Sequence, residues 1–488
     1  MSLPDSVCPT TLCPEETARS SLTLEQKLVL ILLFLGAVAC VNHHLKTGSY
    51  LPHYVISLLY LTICFHKLIL VFQGVVRHRE IEISEVEILS CHQWPIYTIL
   101  LPLYREREII PQLCQAIEKL DYPKDRLEIL LILEEDDKET IDAVQEAHLP
   151  PWWQLVVVPD QPPKTKGKAL NYGLARAHGE YLVIYDAEDI PEFDQLKKAV
   201  LAFRRLSEKI VCLQAKLNYY NPYQNILTGW FTAEYSTWFD LYLPGISSLE
   251  APVPLGGTSN HFRTAVLKDL KGWDPFNVTE DCDLGIRIFR AGYRTAILDT
   301  TTWEEANSQL ANWIKQRSRW VKGYIQTYFV HLRQPGSLLR SIGLANFFHF
   351  NLIVGGNFTV LCFNPIAWLL FISWLIYHWQ IGLPLLAFLR LDTLSLSLFL
   401  GNFIFVGIHL LGCLKRKYYR LLLPTFFSPV YWVLMSVGAW KGLWQYLFRP
   451  HYWEKTDHAL FLKKIPFGDS PTRSQNDQIH PADLSIEE

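Results

Sequence analysis

The stretch YLVIYDAEDIPE, residues 181–192, decides the fold because it joins a short apolar run to a group of acids. Residues 181–184 have the length and composition of a buried strand, and Asp186, Glu188 and Asp189 follow directly. Apolar runs of the same kind occur at 96–103, 127–137 and 153–160. Helical spacing of apolar residues separates them, at 110–120 and 167–179. This alternation predicts an α/β fold with a mostly parallel sheet, which binds ligands at the carboxyl ends of its strands.

The three acids that follow residue 184 are candidate metal ligands. Their carboxylate oxygens are of the kind that Mg²⁺ or Mn²⁺ prefers, and such an ion commonly bridges a diphosphate. A solvated acidic turn is the simpler interpretation of this pattern when it stands alone. Three lysines ahead of the next helix argue against that interpretation: Lys164, Lys166 and Lys168. Because they surround a glycine at a helix N-terminus, they would offer positive charge to phosphate oxygens.

A second acidic group occurs in FNVTEDCDLGIR, residues 276–287. Thr279, Glu280 and Asp281 precede an apolar helical segment, and a threonine N-cap with acids in the first turn is common in helices. Alternatively, Asp281 acts as a general base. Both interpretations remain open from this segment alone.

The nonapeptide NWIKQRSRW, residues 312–320, combines basic and aromatic side chains. If it is helical, Gln316, Arg319 and Trp320 share one face. An amphipathic anchor at a membrane surface would have the same composition. A guanidinium also suits a diphosphate, and an indole offers a flat apolar face to a sugar ring.

Composition favours a membrane protein with a soluble part. Half of the residues are hydrophobic, and a net charge of −3 argues against a nucleic-acid partner, which usually requires a basic surface. The ten cysteines form no C-x-x-C pairs, so they indicate neither a zinc site nor a disulfide framework. Long apolar runs occur at 27–41, 54–72, 345–379, 394–414 and 421–447.

The basic segment KRKYYR, residues 415–420, constrains the topology, because basic loops stay in the cytosol. With this loop in the cytosol, 345–379 crosses the membrane once and 421–447 is re-entrant or interfacial. In the alternative, 345–379 is a hairpin, 421–447 is a full span and the basic loop lies outside. Both schemes place the segment between the second and third apolar runs, and the C-terminus, in the cytosol.

These patterns divide the chain into six parts. They are a disordered leader (1–22), two transmembrane helices (23–75), a cytosolic α/β domain (92–337), transmembrane and interfacial helices (341–447), a cytosolic aromatic and basic segment (448–467) and a disordered tail (468–488). We expect a multi-pass protein of the inner (plasma) membrane.

Four elements in order resemble the membrane-bound glycosyltransferases of family 2, which include cellulose, chitin and hyaluronan synthases. They are an acidic strand end (134–137), D-A-E-D (186–189), T-E-D (279–281) and Q-R-S-R-W (316–320), and apolar runs flank them on both sides. The resemblance covers roughly residues 95–340. It implies a GT-A-like fold, a nucleotide-sugar donor, with UDP-sugars favoured, and a divalent metal.

The resemblance also implies roles for individual residues. Asp186 and Glu188, with Asp189 adjacent, match the D-x-D metal motif, and Asp281 in T-E-D matches the acceptor base. On the donor side it implies Glu135 or Asp136, Lys168 and Arg319. On the acceptor side it implies Gln316, Trp320, and Gly257 and Thr258 of the loop PLGGTSNHFR. Two departures stand out: the family's Asp-Asp pair at the second strand end is EEDD here, and Glu188 replaces an aspartate, so the metal preference stays open.

The expected function is inverting transfer of a sugar to a glycan acceptor, with synthesis and export of a polysaccharide. A transferase that adds one sugar to a lipid or short glycan is the first alternative. A nucleotide-binding membrane transporter and an inactive glycan-binding relative are others. The sequence does not distinguish the sugar, and the aromatic and basic segment, with Trp453 and Lys455, is a candidate to close over the donor.

Overall fold

The structure is a computed structural model, and it describes residues 12–47, 51–380, 393–452 and 454–456. The predicted disordered tail at 468–488 lies outside the described residues. So do Trp453 and residues 457–467 of the predicted aromatic and basic segment.

Eight strands form one mixed sheet. The strands are β1 (Tyr97–Leu103), β2 (Leu127–Glu134), β3 (Trp153–Val158), β4 (Tyr181–Ile184), β5 (Ile190–Pro191), β6 (Ile210–Tyr219), β7 (Asn260–Arg263) and β8 (Arg294–Glu304). Their order is β3-β2-β1-β4-β7-β6-β8-β5. The half made of β3, β2, β1 and β4 is parallel, as predicted, whereas β7 runs antiparallel to both of its neighbours.

Seventeen α-helices lie in the described part of the chain. They are α1 (Leu24–Thr47), α2 (Leu51–Arg77), α3 (Glu85–Ser90), α4 (Ile110–Glu118), α5 (Lys138–Glu146), α6 (Lys166–Arg176), α7 (Gln195–Arg205), α8 (Ile226–Thr237), α9 (Leu243–Ser248), α10 (Thr264–Asp269), α11 (Glu280–Arg290), α12 (Leu310–His331), α13 (Pro335–Phe350), α14 (Gly356–Gln380), α15 (Thr393–Lys415), α16 (Leu422–Phe426) and α17 (Ser428–Phe448). Short π-helical turns join α8 to α9 and α13 to α14.

The sheet is buried on both faces because successive strand residues point to opposite sides. In β1, Ile99 and Leu101 belong to an apolar cluster with α4 and α7, whereas Leu100 belongs to a second cluster with α6 and α11. This two-sided burial explains why the parallel strands appear in the sequence as continuous apolar runs. It also leaves the strand ends as the exposed edge on which a polar site can form.

The predicted strand at 181–192 is two strands. β4 ends at Ile184, and β5 pairs with β8 at the far edge of the sheet. The Asp189 carboxylate accepts a hydrogen bond from the backbone N–H of Asp186 at 2.7 Å, which closes the turn between them. The acids therefore lie at the carboxyl end of β4, where the sequence places them.

Two helical segments are long and apolar enough to cross a membrane, Tyr54–Arg77 and Pro335–Ile366. A third is possible if Tyr419–Phe426 and Ser428–Phe448, which are bent by 67°, form one broken span. The first predicted span falls on α1, where Leu32 and Phe34 are each 67% exposed. The described helices are thus compatible with a membrane protein.

The basic loop that follows α15 contacts the α/β domain. Lys415 Nζ lies 2.9 Å from Glu80 Oε1, and Arg416 Nε lies 2.6 Å from Asp240 Oδ2. Arg416 also donates to Thr301 Oγ1 on β8 at 3.2 Å. The loop is therefore on the same side as the domain, which argues against the alternative topology that places it outside.

Helix α17 packs lengthwise on α12. A Cβ added at Gly438 would lie 2.9 Å from Arg317, and one added at Gly442 would lie 2.6 Å from the Ser318 carbonyl oxygen. Further along, the rings of Phe329 and Tyr446 stack with centroids 6.0 Å apart. Helix α17 therefore lies against a helix of the α/β domain, and an interfacial or re-entrant position of 421–447 stays a prediction.

The leader at 1–22 is predicted to be disordered, but its described residues, 12–22, contact the α/β domain. Thr17 Oγ1 and the N–H of Ala18 donate to the Asp274 carboxylate at 2.7 and 2.5 Å. The Arg333 guanidinium donates to the carbonyl oxygens of Pro14 and Glu15. These contacts are polar and made largely by the backbone, so they leave no hydrophobic periodicity in the sequence. The disorder of the leader as a whole stays a prediction.

Candidate functional site

One cavity of about 410 Å³ runs from the strand ends of the sheet to helices α2, α14, α15 and α17. Ten of the predicted site residues line it: Asp186, Glu188, Gly257, Thr258, Thr279, Glu280, Asp281, Gln316, Arg319 and Trp320. The other four predicted residues, Glu135, Asp136, Lys168 and Asp189, do not line it. The geometry thus brings residues that are far apart in sequence to a single space.

Asp189 is buried beneath the acidic turn and stabilises it through hydrogen bonds. It is 1% exposed, accepts a hydrogen bond from the Thr258 hydroxyl, and keeps its Oδ1 without a hydrogen-bond partner among the described residues. Burial raises the pKa of Asp189 well above its ordinary value, and the charges of Asp186 and Glu188 add to the effect. Asp186 and Glu188 are half-buried and face the cavity.

Asp186 and Glu188 fit a divalent cation whose remaining ligands would come from the substrate and from water. No group of three or more His, Cys, Asp or Glu residues is poised to hold a metal in the described ranges. Mg²⁺ in phosphate-transfer sites often uses only one or two carboxylates, with water and phosphate oxygens as its other ligands. Burial also raises the pKa of Glu304, with further contributions from the charges of Asp189, Glu188 and Asp186. Such a concentration of negative charge favours a bound cation.

Lys166 is the lysine of the 164–168 group that contacts the acids. Its ammonium forms an ion pair with Asp186 and donates to the Gly257 carbonyl oxygen at 2.8 Å. Lys168 is buried instead, donates to the Pro159 and Gln161 carbonyl oxygens at 2.6 Å each, and does not line the cavity. The geometry thus favours Lys166 for the donor-side role that the resemblance implies for Lys168.

The acidic residues at the end of β2 make different contacts. Glu134 lines the cavity at the strand end, whereas Glu135 accepts a hydrogen bond from the N–H of Asp160 at 3.1 Å. Asp136 pairs with Lys164 at 2.7 Å, and Lys164 itself lines the cavity. The donor roles of Glu135 and Asp136 stay predictions, and Glu134 is a further candidate.

The segment before α11 is clamped to α12. The backbone N–H of Val278 donates to Gln326 Oε1 at 3.0 Å, and Asn277 Nδ2 donates to Thr327 Oγ1 at 2.9 Å. Thr279 is at the N-cap position, but its side chain makes no capping hydrogen bond. Instead it packs against Gly323, where an added Cβ would lie 2.3 Å from Thr279 Oγ1. Helix capping alone therefore does not account for this threonine.

Two carboxylates of this segment face the cavity beside cations. Burial raises the pKa of both Glu280 and Asp281, and Lys166 and Arg319 act in the opposite direction. Asp281 Oδ1 accepts a hydrogen bond from the N–H of Cys282 at 2.8 Å. A carboxylate with a raised pKa beside an open cavity can accept a proton from a hydroxyl group.

The nonapeptide 312–320 is part of α12 and lines the cavity, so the membrane-anchor interpretation does not account for it. The Trp320 ring lies 5.9 Å from Phe231 and 6.2 Å from Tyr235 between centroids. The Arg317 guanidinium lies 4.8 Å from the centroid of the same ring. Gln316 Oε1 is buried without a hydrogen-bond partner among the described residues, so a ligand hydroxyl could satisfy it.

Several cavity residues had no motif that would have revealed them from the sequence. They are Lys67, Glu234, Tyr235, Glu304 and Tyr324. Lys166 belongs to the basic group 164–168, but the resemblance implies Lys168 rather than Lys166. A helix-phase argument from the Thr165 N-cap, whose hydroxyl accepts from the N–H of Lys168, could have separated the two lysines.

Residues 95–323 match the family model described as glycosyltransferase like family 2. The probable glycosyltransferase YdaM of Bacillus subtilis (strain 168) is 29% identical over 259 residues, which are 52% of this chain and 61% of that protein. Cellulose synthase 2 of Novacetimonas hansenii is 28% identical over 254 residues, 51% of this chain and 15% of that protein. The mannosyltransferase PcManGT from Pyrobaculum calidifontis, solved with GDP-Man and Mn²⁺, has a TM-score of 0.44 and 17% identity, covering 80% of this chain and 99% of its own.

Over residues 95–323 the chain is similar to the family 2 glycosyltransferases, and cellulose synthase 2 is among the relatives that it resembles, as its ordered motifs predict. The predicted GT-A-like fold is confirmed, with a mixed rather than a mostly parallel sheet. The chain spans less than two thirds of the length of these curated relatives.

The raised pKa of Asp281 predicts the pH dependence of glycosyl transfer. A general base acts in its deprotonated form, so the rate should rise with pH, with a midpoint above about 3.9, the ordinary aspartate pKa. The measurement is the initial rate of transfer between acidic and neutral pH. Recovery of activity after return to neutral pH separates titration from unfolding, and a rate that stays constant down to about pH 4 would contradict the assignment.

Proposed function

We propose that the chain transfers a hexose from a nucleotide-diphosphate sugar to a glycan or lipid-linked acceptor, with inversion at the anomeric carbon. The observation that carries this proposal is the shared cavity. Acids at the end of β4, cations from α6 and α12, and Asp281 from α11 all line it.

The donor end of the cavity suits a diphosphate. Lys166 and Arg319 supply positive charge, and a guanidinium can bind phosphate oxygens through two parallel hydrogen bonds. Lys164, with its partner Asp136, lies at the rim of the same end. Lys455 donates to the Tyr104 carbonyl oxygen at 2.8 Å, so the segment after α17 lies beside the donor end and is suited to cover it.

Asp186 and Glu188 would hold Mg²⁺ or Mn²⁺, with Asp189 supporting the turn from behind. When bound, the ion would neutralise charge on the diphosphate leaving group. The chain's own cations share that task, because Arg319 and Lys166 face the same space. Which of the two ions is used stays open.

Asp281 would remove the proton from the acceptor hydroxyl that attacks the anomeric carbon. Glu280 and Thr279 hold the start of α11, and Gly257 lies opposite, where an added Cβ would be 3.4 Å from Asp281 Oδ2. Trp320 would stack on the acceptor sugar, and Gln316 and Thr258 would hydrogen-bond its hydroxyl groups.

The continuation of the cavity between α2, α14, α15 and α17 supports synthesis of a polysaccharide that leaves through the membrane. It favours a multi-pass protein of the inner (plasma) membrane with its catalytic domain in the cytosol. Release of a singly glycosylated lipid is the alternative, and product length distinguishes the two.

A donor screen tests the proposed function and the metal together. Purified full-length chain is incubated with UDP- and GDP-hexoses and N-acetylhexosamines, and release of nucleoside diphosphate is followed with Mg²⁺, Mn²⁺ or EDTA. We expect one donor to be turned over, activity to disappear in EDTA and to return with excess metal, and Asp186→Asn to be inactive. Asp125→Asn, at an exposed acid that does not line the cavity, is the control.

Full activity in EDTA would contradict the proposed requirement for a metal. If no donor released nucleoside diphosphate, the proposed activity would be contradicted.

Two substitutions separate chemistry from acceptor binding. Asp281→Asn should lower kcat by about a hundredfold or more while donor binding stays near wild type, because the base acts on the acceptor. Trp320→Ala should lower transfer more than hydrolysis of the donor by water, because the acceptor loses its stacking surface. Both rates are measured side by side for each variant.

Trp444→Ala is the matched control, since Trp444 lies on α17, is 52% exposed and does not line the cavity. Equal, mild losses of both activities in Asp281→Asn and Trp320→Ala would contradict the roles proposed for them.

A further inference from the structure

The end of the cavity away from the acids contains a cation that the proposed chemistry does not use. Lys67 lies on α2, within the candidate span Tyr54–Arg77, and lines the cavity. It precedes Arg77 by ten residues (77 − 67), which is about 15 Å along a helix. A lysine side chain is too short to carry its ammonium past that end of the helix.

The Lys67 ammonium has no ion pair among the described residues. It lies 4.4 Å from the centroid of the Tyr242 ring and 5.7 Å from that of Trp238. Aromatic rings compensate a buried cation only in part. An ionisable residue within a span is costly and usually marks a functional site that supplies its partner.

The neighbouring carboxylate is already neutralised. Glu234 lines the same part of the cavity, but Arg317 Nη1 lies 2.8 Å from its Oε1, and the Tyr431 hydroxyl donates to its Oε2 at 2.6 Å. The nearby His409 adds no negative charge. This end of the cavity therefore carries net positive charge, opposite to the acid-rich end at β4.

A second cavity of about 270 Å³ adjoins the first between α14, α15 and α17. The two cavities share Asn364 and Trp432 in their walls. Most other residues that line the second cavity are apolar: Pro365, Trp368, Leu369, Ile372, Pro429 and Val433. A cation in one cavity beside an apolar space in the next matches an amphiphile with an anionic head.

We propose that the two cavities together bind a lipid phosphate, with the phosphate on Lys67 and the apolar chain in the second cavity. The inference deepens the proposed function, on which it rests, because it selects the lipid-linked acceptor, the alternative named there, over an exported polysaccharide. The sugar of that acceptor would extend past Tyr235 and Trp320 toward Asp281. A neutral glycan would leave the Lys67 charge without a partner.

Binding of farnesyl phosphate to the purified full-length chain tests this inference by calorimetry. Farnesol has the same chain without the charge, and inorganic phosphate has the charge without the chain. We expect farnesyl phosphate to bind more tightly than either. Lys67→Met should weaken farnesyl phosphate binding by about tenfold or more, as expected for loss of a charge-assisted contact. Lys67→Arg should restore it, and Lys67→Met should leave the weaker binding of farnesol unchanged.

Lys27→Met, at an exposed lysine on α1 that does not line the cavity, is the matched control and should bind as wild type. Binding of nucleoside diphosphate at the far end of the cavity checks that each variant is folded. If Lys67→Met does not fold, the comparison of farnesyl phosphate with farnesol on the wild type still decides.

Three results would overturn the inference: Lys67→Met binding farnesyl phosphate as wild type does, farnesol binding the wild type as well as farnesyl phosphate, or inorganic phosphate competing as well as the lipid, which would indicate a free-anion site. The assay requires no donor turnover, so its failure and failure of the proposed activity are distinguishable.

Discussion

The close packing of α12 against the start of α11 is the contact on which the site depends. Gly323 has no side chain, and this absence lets Thr279 lie directly against the helix. Gln326 and Asn277 then tie the two elements together through hydrogen bonds. Because α12 also packs along α17, one helix connects the segment that carries Asp281 to the apolar helices. A displacement of α12 would change the base, the Trp320 surface and the cavity wall at once.

Charge is distributed unevenly along the cavity, and this distribution explains the chemistry that its two ends can support. The acids at the end of β4 face Lys166 and Arg319, so a diphosphate with a divalent ion would complete a balanced group of charges. The opposite end pairs Arg317 with Glu234 and leaves Lys67 without an ion pair among the described residues. The middle of the cavity, beside Trp320 and Tyr235, is aromatic and suits a sugar ring.

Much of this arrangement was predictable because parallel strands that are buried on both faces appear as apolar runs, and their polar ends mark the site. The shared face of Gln316, Arg319 and Trp320 followed from helix periodicity alone, and all three line one cavity. The pattern of lysines alone did not distinguish Lys166 from Lys168, whereas in the structure Lys166 lines the cavity and Lys168 does not. Glu304 ends β8 on the far side of the sheet, so only the fold brings its charge toward the acids at the end of β4.

The contacts of the leader could not be predicted for a different reason. Residues 14–18 dock through their own backbone groups and a threonine hydroxyl, and such contacts depend on the position of Asp274 and Arg333 rather than on any local pattern. The most direct test of the central claim, that one cavity joins donor, base and acceptor, is a cryo-electron microscopy structure of the full chain with a non-hydrolysable nucleotide-sugar and Mn²⁺. The account predicts diphosphate density between Asp186, Lys166 and Arg319, with the sugar beside Asp281. Nucleotide density outside this cavity would contradict it.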